Sequence, residues 1–340
     1  MDLFTKLKLP DYAMDYLAHL ESKGRQLSTL KRYSYDLEGF FKWKKTRDGK
    51  ELSFEEWRQL DMKEYHLYFD VLKNEKRYSD RTLHRIFTVL RRMAIYYNSI
   101  NKNATIPEIN VKFIDAQGKK LIKYDFVSEE EFKRLEKSIQ SLEGLSKKQI
   151  KKRPLIVERN LSIVYMMYYE GLTLQEVVSL DMKDINFVKS IINVHSQTSN
   201  SREIQIPIWR KNIYYAYYNK IPQAVRPKMH SGECFFCAFH FTLGTYHYVF
   251  NESLEPLYPK RISEVGLQRM LQKEVKRAGL RKGMSPQHFR NTAILRAVME
   301  GESKEEIMKQ FGFKLELSLK RYVDYANAIE TMKKQESYKS

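Results

Sequence analysis

The sequence predicts a mainly α-helical protein in two domains, with a small antiparallel β-sheet in the second. Three observations carry this. Apolar side chains recur at helical spacing through most of the chain. Residues 101–124 combine Asn101, Asn103, Pro107 and Gly118 with little periodicity. Two short β-prone runs after residue 190 flank a polar, turn-like stretch. The length, 340 residues, is more than one hydrophobic core commonly serves. A composition of 42% hydrophobic and 13% aromatic residues can fill two cores, which excludes wholesale disorder.

The first domain is expected over residues 1–105 as a helical unit. Tyr12, Tyr16, Leu17 and Leu20 define a helix over 11–23, stopped by Gly24. Ser28 is placed to cap a second. Its buried face holds Leu30, Tyr33, Leu37, Phe40 and Phe41, and its wet face Lys31, Arg32, Lys42, Lys44 and Lys45. A third helix is expected over 63–74 and a fourth over 80–99. In the fourth, Leu83, Phe87, Leu90, Ala94 and Tyr97 form an apolar stripe. Arg77, Arg81, Arg85 and Arg92 fall away from that stripe, with Ser79, Thr82 and Thr88 nearby. An arginine row among hydroxyls suits phosphate contacts. The plainer account is a solvated helix face. Residues 106–124, with Lys119, Lys120 and Lys123 at their end, are the expected interdomain linker.

The second domain is expected over 125–322. Ser128 and Glu131 form a capping box that opens a helix. A basic run over 147–153 precedes a buried helix with Leu161, Ile163, Val164, Met166 and Met167. Tyr165, Tyr168 and Tyr169 on that helix suit a core better than a base-stacking platform. Gly171 ends it, and a short helix follows over 174–180. Strands over 191–195 and 203–208 pair as a hairpin about the polar stretch 196–201. Residues 234–250 are aromatic and β-prone. A helix over 263–279 turns Val265, Leu267, Met270, Leu271 and Val275 inward. Ser285 and Pro286 open another, and Ser303 with Glu306 makes a further capping box. The next helix holds Lys320, Arg321 and Tyr322. Residues 323–340 form a C-terminal tail. Ala326, Ile329 and Met332 there give it an apolar stripe for contact with a second copy, against the alternative of a frayed end.

Sixty Lys and Arg face 42 Asp and Glu, a net charge of +18. Residues 1–124 carry 25 basic and 17 acidic side chains, and residues 125–340 carry 35 and 25. Most of the second excess lies in 201–300, with 16 basic and 7 acidic groups. Two basic halves suit a polyanion held from two sides, with double-stranded DNA first. A membrane anchor would show one dense basic cluster beside a lipidation or amphipathic signal. No apolar run approaches the roughly 20 residues of a bilayer span, and residues 1–6 lack the apolar core of a signal peptide. A cytoplasmic location without membrane contact is expected. Cys234 and Cys237 offer no disulfide framework. With His230 and His240 close in sequence they fall short of a zinc set and suit a buried β segment, so no metal or cofactor is expected.

Several stretches carry a family pattern. In the first half they are Leu27 to Tyr33 and Ser79 to Leu83. In the second they are Gly171 to Leu180 followed by Asp184 and Ile185; Ser201 to Glu203 running on to Ile206–Ile208; Ser285 to Thr292; and Gly312–Phe313 followed by Tyr322. Each is weak alone, but their order and spacing are specific together. In them the chain resembles, across nearly its whole length, the tyrosine recombinases of the phage-integrase and Xer family. The resemblance implies a two-domain recombinase-like fold, a helical core-binding domain followed by an α+β catalytic-like domain, clamped on DNA in a C shape. It also implies a bacterial host and a nucleoid-associated protein, since such integrases abound in prophages.

The family's chemistry, as the resemblance implies it, begins with a tyrosine hydroxyl attacking a DNA phosphodiester to give a 3′-phosphotyrosine. Two arginines clamp the non-bridging oxygens, a hairpin lysine protonates the leaving 5′ oxygen, and histidines or a tryptophan assist. Carried over by position, the first arginine is Thr173, the hairpin lysine is best matched by Gln197, the histidine of the His-x-x-Arg box is Gln287, and the histidine or tryptophan near the end is Phe313. Arg290 and the nucleophile position, Tyr322, are retained. Losing one such donor costs ~10²–10³ in rate, so the expectation is a protein that is not an enzyme. The leading expectation is a sequence-specific DNA-binding regulator, a phage or prophage repressor, gripping DNA through Lys31, Arg32, Arg77, Arg81, Arg85, Arg92, Arg202, His288 and Arg290. An active divergent recombinase, attached to DNA through Tyr322, is the first alternative. A non-catalytic accessory protein of a recombination complex is the second.

Overall fold

A computed structural model describes residues 8–337 apart from 101–105, 107–108, 110–119, 197–198 and 254–255. The chain divides into two units, residues 1–118 and 119–340. Most described residues are helical, and the strands are short and antiparallel.

The first unit contains α1 (Asp11–Ser22), α2 (Leu27–Asp48), α3 (Phe54–Arg58), α4 (Met62–Asp70) and α5 (Asp80–Ile100). Its core is aromatic: Trp57, Phe40 and Phe69 are fully buried, and the Phe40 and Tyr65 rings stack 5.5 Å apart. Two details differ from the sequence expectation. Gln26, not Ser28, occupies the N-cap of α2, and the helix has already begun at Leu27. The third predicted helix stops at Asp70 and passes into a π-helical turn over Val71–Glu75. Leu72 is buried within that turn. The first core reaches past residue 105, where the linker is expected to begin. Ile106 and Ile109 are buried with the first core, and the Asn98 amide clamps the Ile106 backbone, donating to its carbonyl at 3.0 Å and accepting from its N–H at 2.7 Å.

The second unit runs α6 (Glu129–Gln140), α7 (Lys147–Ile150), α8 (Val157–Tyr168), α9 (Leu174–Ser179), β1 (Ile185–Asn186), β2 (Ile191–Val194), β3 (Arg202–Gln205) and α10 (Ile208–Lys220). It continues with β4 (Phe239–His240), β5 (Thr245–Tyr246), β6 (Tyr248–Phe250), β7 (Pro256–Pro259), α11 (Glu264–Arg277), α12 (Pro286–Met299), α13 (Lys304–Phe311) and α14 (Leu317–Ser337). Helix α8 is the centre. Every residue from Arg159 to Tyr168 is buried, with α10 and α12 packed beside it. From Leu161 to Tyr168 it is apolar nearly all round, which needs such enclosure. The β1–β2–β3 sheet is antiparallel, with Ile192 opposite both Ile185 and Ile204. Cys234 and Cys237 are buried in the second core with Phe235 and Phe236, their sulfurs 3.8 Å apart.

Two details of the second unit differ from the sequence expectation. The second hairpin strand ends at Gln205 rather than at Ile208, because Pro207 has no N–H to give the ladder and instead starts α10, its carbonyl accepting from Arg210 and Lys211 at 3.1 Å. Val265 is 54% exposed on the first turn of α11, while Leu267, Met270, Leu271 and Val275 point inward. Helix α14 runs unbroken through 322/323, where the tail is expected to begin, and Ala326 of the predicted contact stripe is buried by its own chain. Among the described residues no helix is long and apolar enough to cross a membrane.

Candidate functional site

The turn after α8 sets the site. Gly171 has φ +65°, and an added Cβ would strike the Phe311 ring, so only glycine lets this turn lie against α13. Thr173 then caps α9. Its Oγ1 accepts from the Glu176 N–H at 3.2 Å, and a Glu176 carboxylate oxygen accepts from the Thr173 N–H at 2.8 Å. This capping box aims the Glu176 carboxylate inward.

Two arginines converge on it. From the start of β3, Arg202 donates to the two Glu176 oxygens at 2.6 and 3.0 Å, and the Ser199 hydroxyl adds a bond at 2.7 Å. From α12, Arg290 Nη1 stands 3.6 Å from the same carboxylate. Arg290 also donates to the Gly171 carbonyl and, at 2.6 Å, to that of Phe311. Its guanidinium lies 5.8 Å from the Phe313 ring centre. Burial pushes the Arg290 pKa down, and the charge of Glu176 opposes this. For Glu176, burial acts to raise the pKa, but the bonds and charge of Arg202, the charge of Arg290 and the Thr173 N–H outweigh it and bring it down to about 2. The carboxylate is therefore charged at neutral pH.

Tyr322, on α14, is 1% exposed. Its hydroxyl donates to Asn291 Oδ1 at 2.7 Å and accepts from Arg321 at 2.8 Å. The same Asn291 oxygen accepts from Gln287 Nε2 at 2.8 Å, and the Asn291 amide donates to the Asp125 carbonyl at 2.9 Å. An amide oxygen orients a phenol but does not take its proton at neutral pH. His288 turns its Nδ1 to the start of its own helix, accepting from the Ser285 N–H at 3.0 Å. Burial, and then the Arg281 charge, push its pKa down.

The structure thus brings Thr173, Arg290, Phe313, Gln287 and Tyr322 into one neighbourhood. Gln197 lies outside the described residues. Arg202 and Arg290 are buried rather than exposed: Glu176 takes the two terminal nitrogens of Arg202, whose Nε is left without a partner, and Arg290 is engaged by backbone carbonyls beside the same carboxylate. Sequence reasoning passed over Glu176 and Asn291. The signal for Glu176 was present, a Thr with Glu three residues on, the pattern read correctly at Ser128 and Ser303.

In the first unit Lys31, Arg32, Arg77, Arg81 and Arg92 are exposed. Arg77 takes a positive φ of 51° in the turn before α5. Arg85 departs from expectation: it makes a two-pronged bond to Asp36, both distances 2.8 Å, that ties α5 to α2. Arg92 lies 3.5 Å from the Tyr33 hydroxyl. The Asp36–Arg85 and Tyr33–Arg92 pairs show that α2 and α5 run antiparallel. The exposed cations Arg81 and Arg92 are then separated by eleven residues, ~16 Å along α5. Among the described residues no group of three or more His, Cys, Asp and Glu could hold a metal ion.

Residues 148–328, a little over half of the chain, match the model of the phage integrase family. No curated protein matches the chain. Among solved structures, the Tn1549 transposon integrase in complex with transposon right end DNA is similar with a TM-score of 0.64 at 12% identity, covering 95% of this chain and 98% of that one. The XerH site-specific recombinase bound to difH substrate, a pre-cleavage complex, gives 0.60 at 15% identity, covering 90% and 81%. At such identities the likeness is one of fold. The family match corrects one expectation. Replacement of Thr173, Gln197, Gln287 and Phe313 led to a protein that is not an enzyme, but integrases are enzymes, and the matched region spans all four replaced positions with Arg290 and Tyr322.

Proposed function

The chain belongs to the phage integrase family, and from that membership we propose that it binds duplex DNA at a specific sequence and thereby regulates transcription, as a phage or prophage repressor does. The observation that carries this is the set of exposed cations on the antiparallel α2–α5 pair and in the turn before α5. Lys31, Arg32, Arg77, Arg81 and Arg92 have no carboxylate within 4.0 Å among the described residues. A net charge of +18 supports the same partner. In this reading residues 1–118 act as the core-binding unit, and the protein works on the nucleoid of a bacterial host.

A second reading, strand transfer, is favoured by the family match together with the placement of Tyr322. Its phenolic oxygen would attack phosphorus, the bond to the 5′ oxygen would break, and the phosphate would stay on the tyrosine while a 5′ hydroxyl leaves. Arg321 donates to that oxygen, and Tyr322 acts electrostatically on Arg290.

One experiment addresses both. Fragments of the source genome are used in gel shifts and, as nicked suicide substrates, in a cleavage assay. The repressor reading expects sequence-specific shifts that Arg81→Glu weakens at least tenfold. Shifts indifferent to sequence and to Arg81 would overturn it. A covalent adduct lost in Tyr322→Phe would establish strand transfer.

A further inference from the structure

Away from Glu176 and Tyr322, the second unit has an open cavity of about 820 Å³ between the start of α8, β4 and α11. That is within the ~300–1,000 Å³ range of small-molecule sites. Phe239, Phe241 and Met270 give it an apolar lining. Arg159 also lines it, and this residue is only 2% exposed.

Arg159 is anomalous. Its bonds go to neutral acceptors at long range, 3.2 and 3.3 Å to Asn160 Oδ1 and 3.3 Å to the Cys237 carbonyl. No carboxylate lies within 4.0 Å of it among the described residues. The nearby Glu274 does not serve: its oxygens are taken by Arg153 at 2.5 and 3.0 Å, by Arg277 at 2.7 Å and by the Asn160 amide at 2.8 Å. A buried guanidinium without a counter-charge is costly. At the rim, Arg269 makes no hydrogen bond or ion pair among the described residues. Lys273 makes only a contact with the Phe241 ring, 5.7 Å from its centre. The charge balance of the cavity is therefore cationic from floor to rim, over an apolar wall.

We propose that this cavity is a binding site for a small amphipathic anion, a carboxylate, sulfonate or phosphate on an aromatic or aliphatic body. The anionic group meets Arg159 and the rim cations, and the apolar body lies on Phe239, Phe241 and Met270. Such a ligand would be an effector separate from DNA, since the cavity shares no residue with the Glu176 and Tyr322 neighbourhood.

The test is a fluorescence titration of the full chain with 1-anilinonaphthalene-8-sulfonate, beside its neutral analogue N-phenyl-1-naphthylamine. Saturable binding of the sulfonate at one site per chain is expected. Arg159→Met should weaken the sulfonate at least tenfold and leave the neutral compound unchanged, a selectivity that mere loosening of the fold would not produce. Should Arg159→Met fail to fold, the exposed double change Arg269→Glu with Lys273→Glu carries the same expectation. Non-saturable binding, or equal sulfonate affinity in a folded variant, would overturn the proposal.

Discussion

Glu176 is the residue on which the second unit's charged centre turns. It holds Arg202 in two bonds and lies 3.6 Å from Arg290, all three groups being buried. Removing one partner of such a cluster leaves uncompensated charge and commonly costs about 3–5 kcal/mol. Its titration gives the sign of the pH effect. The folded carboxyl titrates at about 2, and an unfolded one at ~4.3. Between those values the unfolded chain binds more protons, so stability rises with pH. The contribution, on the order of 3 kcal/mol, is complete above about pH 4.3 and disappears as pH falls towards 2. Glu176→Gln should therefore be less stable at neutral pH, and its melting temperature should fall less steeply than that of the wild type on acidification from about pH 5 to about pH 3. Thermal melts across that range decide it, and equal slopes would count against the assignment. The aligned positions did not reveal this centre. Arg202 and Arg290 read as outward cations because their acid lies 26 and 114 residues away in sequence, and burial of a charge is a property of the partner as much as of the residue. Arg85 misled for the same reason, its Asp36 being 49 residues distant.

At the scale of elements, local signals succeeded where they were self-contained. The capping boxes at Ser128 and Ser303 open α6 and α13 as the spacing predicts. The positive φ at Gly24 and Gly171 closes the helices that their positions mark. Failures came where a second element decides. The π-helical turn after α4, with Leu72 buried in it, has no counterpart in the sequence spacing. The turn joining α8 to α9 shows how the two kinds of cause separate. Thr173→Ala removes one cap acceptor and should cost about 1 kcal/mol. Gly171→Ala forces a side chain into the left-handed region and into Phe311, which should cost about 2 kcal/mol or more. Urea unfolding of the two variants should rank them in that order. The reverse order would mean that the cap, not the approach of α13, holds the turn.

For the whole molecule, charge is the property legible from the first residue count, and its distribution makes the strongest prediction. Polyanion binding releases counterions, so log K falls linearly with log salt, with a slope of about −0.9 per phosphate neutralised. Exposed cations on α2 and α5 contribute to that slope, and cations engaged with internal acids do not. Arg81 and Arg85 lie one helical turn apart on α5 and test the distinction on one surface. Arg81 is exposed and Arg85 is held by Asp36. Arg81→Ala should make the slope shallower by about 1 without changing the melting temperature. Arg85→Ala should leave Asp36 buried without its counter-charge and lower the melting temperature, while the slope of the folded protein stays near that of the wild type. Fluorescence anisotropy with one labelled duplex, from about 50 to about 200 mM salt, measures both slopes. Equal loss of slope in the two variants would mean that DNA draws Arg85 away from Asp36, and that the α2–α5 ion pair is exchanged for a phosphate contact on binding.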